Sequence, residues 1–261
     1  MTQNRKSNWR GGRGAAFCHG LSGAVLVMAA TMAAPLGPPA TASVIFKFND
    51  PLGSGLAAEA EFTLLNPTTL EVRLRNTSTG VPFGFDTSDQ ILTAISWDFG
   101  APGFNGDPWI ISGTVVIGPT SQSLNFDTGS YGPGTDVSGE WGYGNMDGTG
   151  LLANFISASR PESTPFGGAN LDGPIAIDGP QGGLVANPVL VPLGGQGAIQ
   201  DEIIATLTLD GAISDLGFLN QNLVRIEFGS DAFFITVPEP GTVALLGLAG
   251  LLGLRRRRRR A

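Results

Sequence analysis

Short apolar runs alternate with polar breaks along most of the chain, and a helical repeat is almost absent before its last part. The pattern is clearest in residues 70–75, because Leu70, Val72 and Leu74 alternate with charged residues. A period of two is typical of a β-strand with one buried face. A second run, residues 58–65, precedes it across the turn-forming sequence Asn-Pro-Thr-Thr. The two runs predict a β-hairpin.

Further runs of this kind predict an all-β fold. Glycine, proline, asparagine and aspartate separate them at roughly regular intervals, which is typical of an antiparallel β-sandwich or jelly roll. Residues 101–183 are richer in glycine and predict long loops, although residues 151–159 fit a short helix or a strand equally well. The predicted strands are residues 44–48, 58–65, 70–75, 91–99, 113–117, 123–126, 183–191, 202–209, 223–228 and 233–237.

The N-terminal segment has the organisation of a secretory signal peptide. Residues 21–34 are apolar and are followed by Ala40-Thr41-Ala42, an A-x-A cleavage site. We expect the Sec translocon to export the chain and signal peptidase to cleave it after Ala42. An uncleaved N-terminal membrane anchor is the alternative. The positively charged lead before the apolar run contains Arg5, Lys6, Arg10 and Arg13.

Removal of this leader limits the chemistry that remains. Cys18 and His19 are the only cysteine and histidine of the chain, and both lie in the leader. The cleaved protein would therefore have no disulfide, thiolate nucleophile, Cys/His zinc site or Ser-His-Asp triad. No phosphate loop, dinucleotide fingerprint or nucleophile elbow is present either. We expect a protein that is not an enzyme; a polysaccharide hydrolase with two carboxylates about 5–10 Å apart is the enzymatic alternative.

The C-terminal segment predicts a membrane stop. Residues 242–254 are uncharged and apolar. As a helix they reach only ~20 Å, against a hydrocarbon core of ~30 Å, so the predicted transmembrane helix is short. A cationic cluster behind an apolar segment stays on the cytoplasmic side. The cluster consists of Arg255, Arg256, Arg257, Arg258, Arg259 and Arg260.

The sequence just before this apolar segment is Pro238-Glu239-Pro240. A Pro-Glu-Pro box, a short apolar helix and terminal arginines, in this order, resemble the PEP-CTERM sorting signal of Gram-negative bacteria. This resemblance covers residues 237–260 and does not extend to the preceding domain. It implies recognition and cleavage near Pro238-Glu239-Pro240 by the membrane protease exosortase, in bacteria that typically also make exopolysaccharide. An ordinary single-span tail anchor is the alternative.

The segment between the two ends is strongly acidic. Residues 43–236 contain five basic and 21 acidic residues, a net charge of −16. Such a surface repels nucleic acid and anionic lipid headgroups. Divalent cations, cationic partners and neutral polymers remain as ligands, and plain solubility explains the charge equally well.

Two ligand classes have candidate residues in the glycine-rich part. Asp172 and Asp178 each precede a glycine in similar turns, and calcium accepts oxygen ligands without His or Cys. Ordinary turn chemistry is the alternative. Trp141 and Tyr143 are candidates for stacking on a sugar, as are Trp109 and Tyr131. The alternative is that Trp141 and Tyr143 point inward along a strand and belong to the core.

These observations predict three segments: a signal peptide (1–42), an all-β extracellular domain (43–236) and a sorting tail (237–261). We expect a protein of the cell surface or biofilm matrix with a structural or adhesive role, held transiently in the inner membrane and associated with exopolysaccharide. A calcium-dependent, lectin-like carbohydrate-binding module is the alternative.

Overall fold

A computed structural model describes residues 42–84, 87–98, 108–145, 151–161, 163–171, 180–217, 219, 223–230 and 233–236. The strands within them are β1 Ala42–Asn49, β2 Ala57–Asn66, β3 Thr69–Asn76, β4 Leu92–Trp97, β5 Ile110–Ile117, β6 Gln122–Leu124, β7 Gly142–Asn145, β8 Asn154–Ser157, β9 Thr164–Pro165, β10 Leu184–Val185, β11 Ala198–Gln200, β12 Glu202–Leu209, β13 Val224–Phe228 and β14 Phe233–Thr236. Two short 3₁₀ helices, Thr87–Gln90 and Ser138–Glu140, complete the regular structure of these residues. The predicted all-β class is confirmed.

The first sheet has five long strands in the order β1-β2-β3-β12-β5, and each pair is antiparallel. The predicted hairpin is confirmed as β2 and β3, with Leu64 opposite Leu70. Asn66 shapes its turn, because its side-chain oxygen accepts a hydrogen bond of 3.0 Å from the Thr68 N–H. Buried and half-buried residues alternate along β3, as the period of two predicts.

The second sheet is built around β4 from shorter strands. On one side β4 pairs with β13, which carries β14 at its outer edge. On the other side β4 pairs with β8, followed by β7 and β9, and at Leu92 with β10, followed by β11 and β6. These pairs are antiparallel except β10–β11, in which Leu184 lies beside Ile199 in parallel.

The two sheets share one apolar core. Phe62 of the first sheet packs edge-to-face against Trp97 of the second at 5.3 Å between ring centroids, and against Phe46 at 5.7 Å. All three rings are buried, and full burial of one such side chain stabilises a fold by about 1.5–3 kcal/mol. The jelly-roll strand order stays a prediction.

Some predicted elements differ from the observed ones. Residues 151–159, compatible with helix or strand, contain strand β8. The strand expected at 183–191 is only Leu184–Val185, since Pro188 and Pro192 follow and proline has no N–H for a ladder. Strands β7, β9 and β11 were not predicted, because glycine-rich segments carry little apolar periodicity.

Both predicted membrane segments lie outside the described residues. No helix among the residues described is long and apolar enough to cross a membrane. At the N-terminal boundary, Ala42 is the first residue of β1 and pairs with Leu64. Cleavage after Ala42 would therefore leave Ser43 as the first residue of the strand.

Candidate functional site

Trp141, a predicted sugar-stacking residue, is part of the core. Its side chain has 0% exposure, and its indole N–H donates a hydrogen bond of 3.1 Å to the carbonyl of Gly182. The stacking prediction is therefore wrong for Trp141, because a ring without exposed surface offers no face to a ligand. The alternative, that this residue is core, is confirmed.

Tyr143 lies near Trp141 in sequence but is only partly buried. Its ring packs on Phe166 at 5.1 Å between centroids, and its hydroxyl donates a hydrogen bond of 2.7 Å to the Ile111 carbonyl. Packing and hydrogen bonding thus use part of the ring and its polar end. The structure does not combine Trp141 and Tyr143 into one exposed platform, and sugar stacking by Tyr143 stays a prediction.

The calcium hypothesis involves residues that the structure does not describe, since Asp172 and Asp178 both fall between residues 171 and 180. Among the described residues, no group of three or more His, Cys, Asp or Glu side chains is placed to hold a metal ion. Calcium binding stays a prediction.

A third aromatic residue, Tyr131, borders an open groove that we call the Tyr131 groove. It is lined by residues 119–124 and 130–133 and has a volume of about 540 Å³, within the ~300–1,000 Å³ typical of small-molecule sites. One wall contains β6 and the turn before it, and the other is the loop that follows β6. Neither range contains an acidic or basic residue.

Local contacts fix Tyr131 in this loop. Its N–H donates a hydrogen bond of 2.7 Å to the Ser123 hydroxyl, and its carbonyl accepts one of 2.8 Å from the Ser123 N–H. The ring packs against Phe126 at 6.3 Å, and the phenol donates to the Thr128 hydroxyl at 2.9 Å. Tyr131 remains half-buried, so part of its ring is accessible.

A second cleft of about 370 Å³ lies between the end of β1 and the start of β14. Exposed Leu52 and Phe83 border it, and Asp50 lies beside them. Burial raises the pKa of Asp50, but hydrogen bonds from the Ser54 hydroxyl and from the N–H groups of Leu52 and Ser54 outweigh it and lower this pKa below 3.8. The carboxylate shapes the turn after β1.

Paired charges account for the carboxylates buried in the sheets. Glu202 accepts two hydrogen bonds from Arg73, at 2.6 and 2.9 Å, and Glu227 accepts two from Arg160, at 3.2 and 2.6 Å. The hydrogen bonds to Glu202 raise the pKa of Arg73. Both pairs have the forked arginine–carboxylate geometry; the first joins the neighbouring strands β3 and β12, and the second joins β13 to the loop after β8.

Comparison with known protein families identifies the C-terminal segment. Residues 236–260 match the family model of the PEP-CTERM protein-sorting motif. The chain carries a PEP-CTERM sorting motif. No curated protein and no solved structure matches it.

The PEP-CTERM motif identifies an exported protein whose tail is anchored at the membrane and sorted by exosortase. The match includes Pro238, Glu239 and Pro240 and the arginines from Arg255 to Arg260, all outside the described residues. It begins at Thr236, which is also the last residue of β14. The folded domain therefore continues directly into the sorting motif.

Proposed function

We propose that residues 43–236 form a structural or adhesive protein of the cell surface or biofilm matrix, without catalytic activity. A signal peptide cleaved after Ala42 starts its export. Exosortase then cuts the tail near Pro238-Glu239-Pro240 and passes the domain to the outer surface, where exopolysaccharide is a candidate partner.

The absence of a spacer between domain and tail carries this proposal. Strand β14 ends at Thr236, and five residues, 237–241, precede the apolar segment. Even fully extended, five residues span at most about 18 Å. An embedded tail thus holds the domain beside the membrane, and cleavage at the Pro-Glu-Pro box releases it with almost no added chain.

The charges of the domain support a non-catalytic role outside the cell. With a net charge of −16, residues 43–236 are repelled by anionic lipid surfaces once the tail is cut. The buried carboxylates of Glu202 and Glu227 are each held by an arginine, which ties β12 to β3 and β13 to the loop after β8. A framework of this kind suits a durable surface component.

The first experiment is intact-mass measurement of the protein from its native envelope, combined with cell fractionation. We expect a species that starts at Ser43, ends within residues 237–240 and fractionates with the cell surface. A variant with Pro238→Ala, Glu239→Ala and Pro240→Ala together should keep Arg255–Arg260 and remain in the inner membrane. Gly241→Ala, next to the box, is the matched control and should be processed normally.

Two outcomes would contradict the proposal. A wild-type species that retains the terminal arginines would show a permanent anchor. Release of reducing ends from the host's own exopolysaccharide by the purified protein would show a hydrolase. The adhesive role is tested by deleting the coding sequence, which should weaken attachment between cells or to a surface; unchanged attachment would count against it.

A further inference from the structure

The Tyr131 groove (residues 119–124 and 130–133) combines features that the sorting function does not use. The domain has a net charge of −16, but the residues that line this groove include no acidic or basic side chain. A charged ligand would have no counter-ion among the lining residues, whereas an uncharged ligand would meet hydroxyl and amide groups. The lining therefore favours uncharged ligands that carry hydroxyl groups over charged ligands.

One carboxylate at the rim of the groove is already neutralised. Thr120, at the rim, donates a hydrogen bond of 3.3 Å to the carboxylate of Asp201. Asp201 is in turn paired with Arg75 at 3.1 Å. The groove thus borders an ion pair of zero net charge, and a neutral ligand meets no isolated carboxylate there.

Ser121 supplies a polar group that the described residues do not satisfy. The residue is 2% exposed and lines the groove, and its hydroxyl has no hydrogen-bond partner within the described part of the chain. An unsatisfied buried hydroxyl costs free energy. Because this oxygen has no accessible surface, it lies behind the lining of the groove and is not itself a contact for a ligand.

Side-chain amides extend the uncharged polar surface along β6. Gln122 donates to Gln200 at 3.1 Å, and Gln200 donates to Asn187 at 3.2 Å. Amide side chains present both donors and acceptors, as vicinal hydroxyl groups of a ligand require. Because the amides bond to one another, their orientations are set before a ligand arrives.

The wall opposite β6 is equally fixed. The loop after Tyr131 is bonded to the edge strand β5, since the Gly134 N–H donates to the Ile117 carbonyl at 2.8 Å and the Ile117 N–H donates to Thr135 at 3.0 Å. The accessible part of the Tyr131 ring therefore lies on a rigid loop. A rigid aromatic surface beside polar groups binds ligands that have both an apolar and a hydroxylated side.

We propose that the Tyr131 groove binds a neutral saccharide. The C–H face of a sugar ring would pack on Tyr131, and its hydroxyl groups would bond to the exposed side chains of Gln122 and Ser130. The inference rests on the proposed function, for which it names the ligand class of the adhesive domain. It also moves the carbohydrate site from Trp141, which is buried, to Tyr131.

The test uses the full chain purified in detergent and isothermal titration calorimetry. The probes are linear hexasaccharides of glucose, mannose and galactose, with hexagalacturonate as the acidic counterpart. We expect at least one neutral hexasaccharide to bind at least about tenfold more tightly than hexagalacturonate.

Four variants assign the binding to the groove. Tyr131→Ala should weaken binding at least about tenfold, whereas Tyr131→Phe, which keeps the ring, should stay within about threefold. Ser130→Glu, at an exposed position, should also weaken binding about tenfold because it adds a charge without disturbing the core. Ser121→Ala is the structural control: because the Ser121 hydroxyl is buried, the substitution should raise the melting temperature and leave binding within about threefold.

The inference is overturned if no neutral hexasaccharide binds at millimolar concentration, if hexagalacturonate binds as tightly, or if Ser130→Glu and Tyr131→Ala leave binding unchanged. These failures are distinguishable from a failure of the proposed function. A correctly processed surface protein that binds no saccharide overturns only the groove, whereas a saccharide-binding protein that keeps its tail in the inner membrane overturns only the sorting route.

Discussion

The two sheets of the domain bury their strands in different ways. In the first sheet one face is core and the other is polar, so half-buried and buried residues alternate along β3. In the centre of the second sheet both faces are buried, and every residue of β4 and β8 is inaccessible. Neighbouring residues of β8 show this clearly, because Ile156 belongs to the main core and Phe155 to a separate cluster with Ala94 and Leu151.

Charged side chains of alternating sign occupy the outer face of the first sheet. Lys47, Glu59, Arg75 and Glu202 lie opposite one another across four strands, so that positive and negative side chains alternate. Long strands with one solvent-exposed face are stabilised by their pairing and by a single apolar core. The second sheet depends on loops that cover its other face, and its strands are correspondingly short. The difference predicts where substitutions are costly.

The largest effect should come from neighbouring residues of β8. Phe155→Ala should lower the free energy of unfolding by about 3–5 kcal/mol and Ile156→Ala by about 2–5 kcal/mol, because each leaves a cavity on its own face of the sheet. In β3, Leu74→Ala should cost about 2–5 kcal/mol. Truncation of its half-buried neighbour Arg75, which lies on the charged outer face, should leave no cavity in the core. Urea unfolding measures all of these values. A small effect of Phe155→Ala would show that the outer face of β8 is not tightly packed.

The next effect concerns ion pairs. The Arg160 side chain is 12% exposed and Glu227 is fully buried. Arg160→Met should therefore cost about 3 kcal/mol, because it leaves Glu227 in the interior without its arginine. Lys47→Met, in the pair with Glu59 on the first sheet, should cost less than about 1 kcal/mol, since Lys47 is 73% exposed. Equal losses in chemical denaturation would remove the electrostatic contrast between the sheets.

A smaller effect is expected for glycine in β7. A Cβ at Gly144 would overlap the ring of Phe155, whereas a Cβ at Gly132 would meet nothing. Gly144→Ala should cost about 1–3 kcal/mol through overpacking. Gly132→Ala, at a negative φ, should change stability by less than about 1 kcal/mol. Thermal unfolding of both variants decides whether the second sheet tolerates added volume as poorly as its burial implies.

The smallest effect is a pH dependence at the end of β1. Because the pKa of Asp50 is lowered in the folded protein, its carboxylate contributes stability that is complete above the unfolded-state pKa of about 3.9 and is lost as the pH falls through the folded-state pKa. Asp50→Asn should thus be less stable than the wild type at pH 7, and the difference should shrink below about pH 4. A difference that is independent of pH between 7 and 3 would contradict the role of the ionised carboxylate.

Sequence reasoning identified what depends on short-range order. The period of two in residues 70–75 predicted β3, and the two runs around Asn-Pro-Thr-Thr predicted its hairpin with β2. The sorting tail was identified for a related reason, since a protease reads a linear segment that needs no tertiary context. Both signals lie entirely within a few consecutive residues.

The remaining features depend on contacts between distant residues. Strand β11 lies between β10 and β6 and is only three residues long, too short to show a period. Trp141 and Tyr131 carry the same sequence signal, an aromatic residue among glycines, yet one is core and the other borders a groove. Only the main core distinguishes them: Trp141 packs into it, and that core is assembled from residues distant in sequence.

Both predicted processing sites lie close to the ends of hydrogen-bonded strands. Ser43 pairs with Thr63 and Thr236 with Arg225, so a protein trimmed at both ends would begin within a sheet and finish at most four residues after one. Exopeptidases need several residues of free chain to start digestion, and such a particle offers few. Outside the cell, where nothing replaces a degraded molecule quickly, we expect this geometry to give a long lifetime against proteolysis.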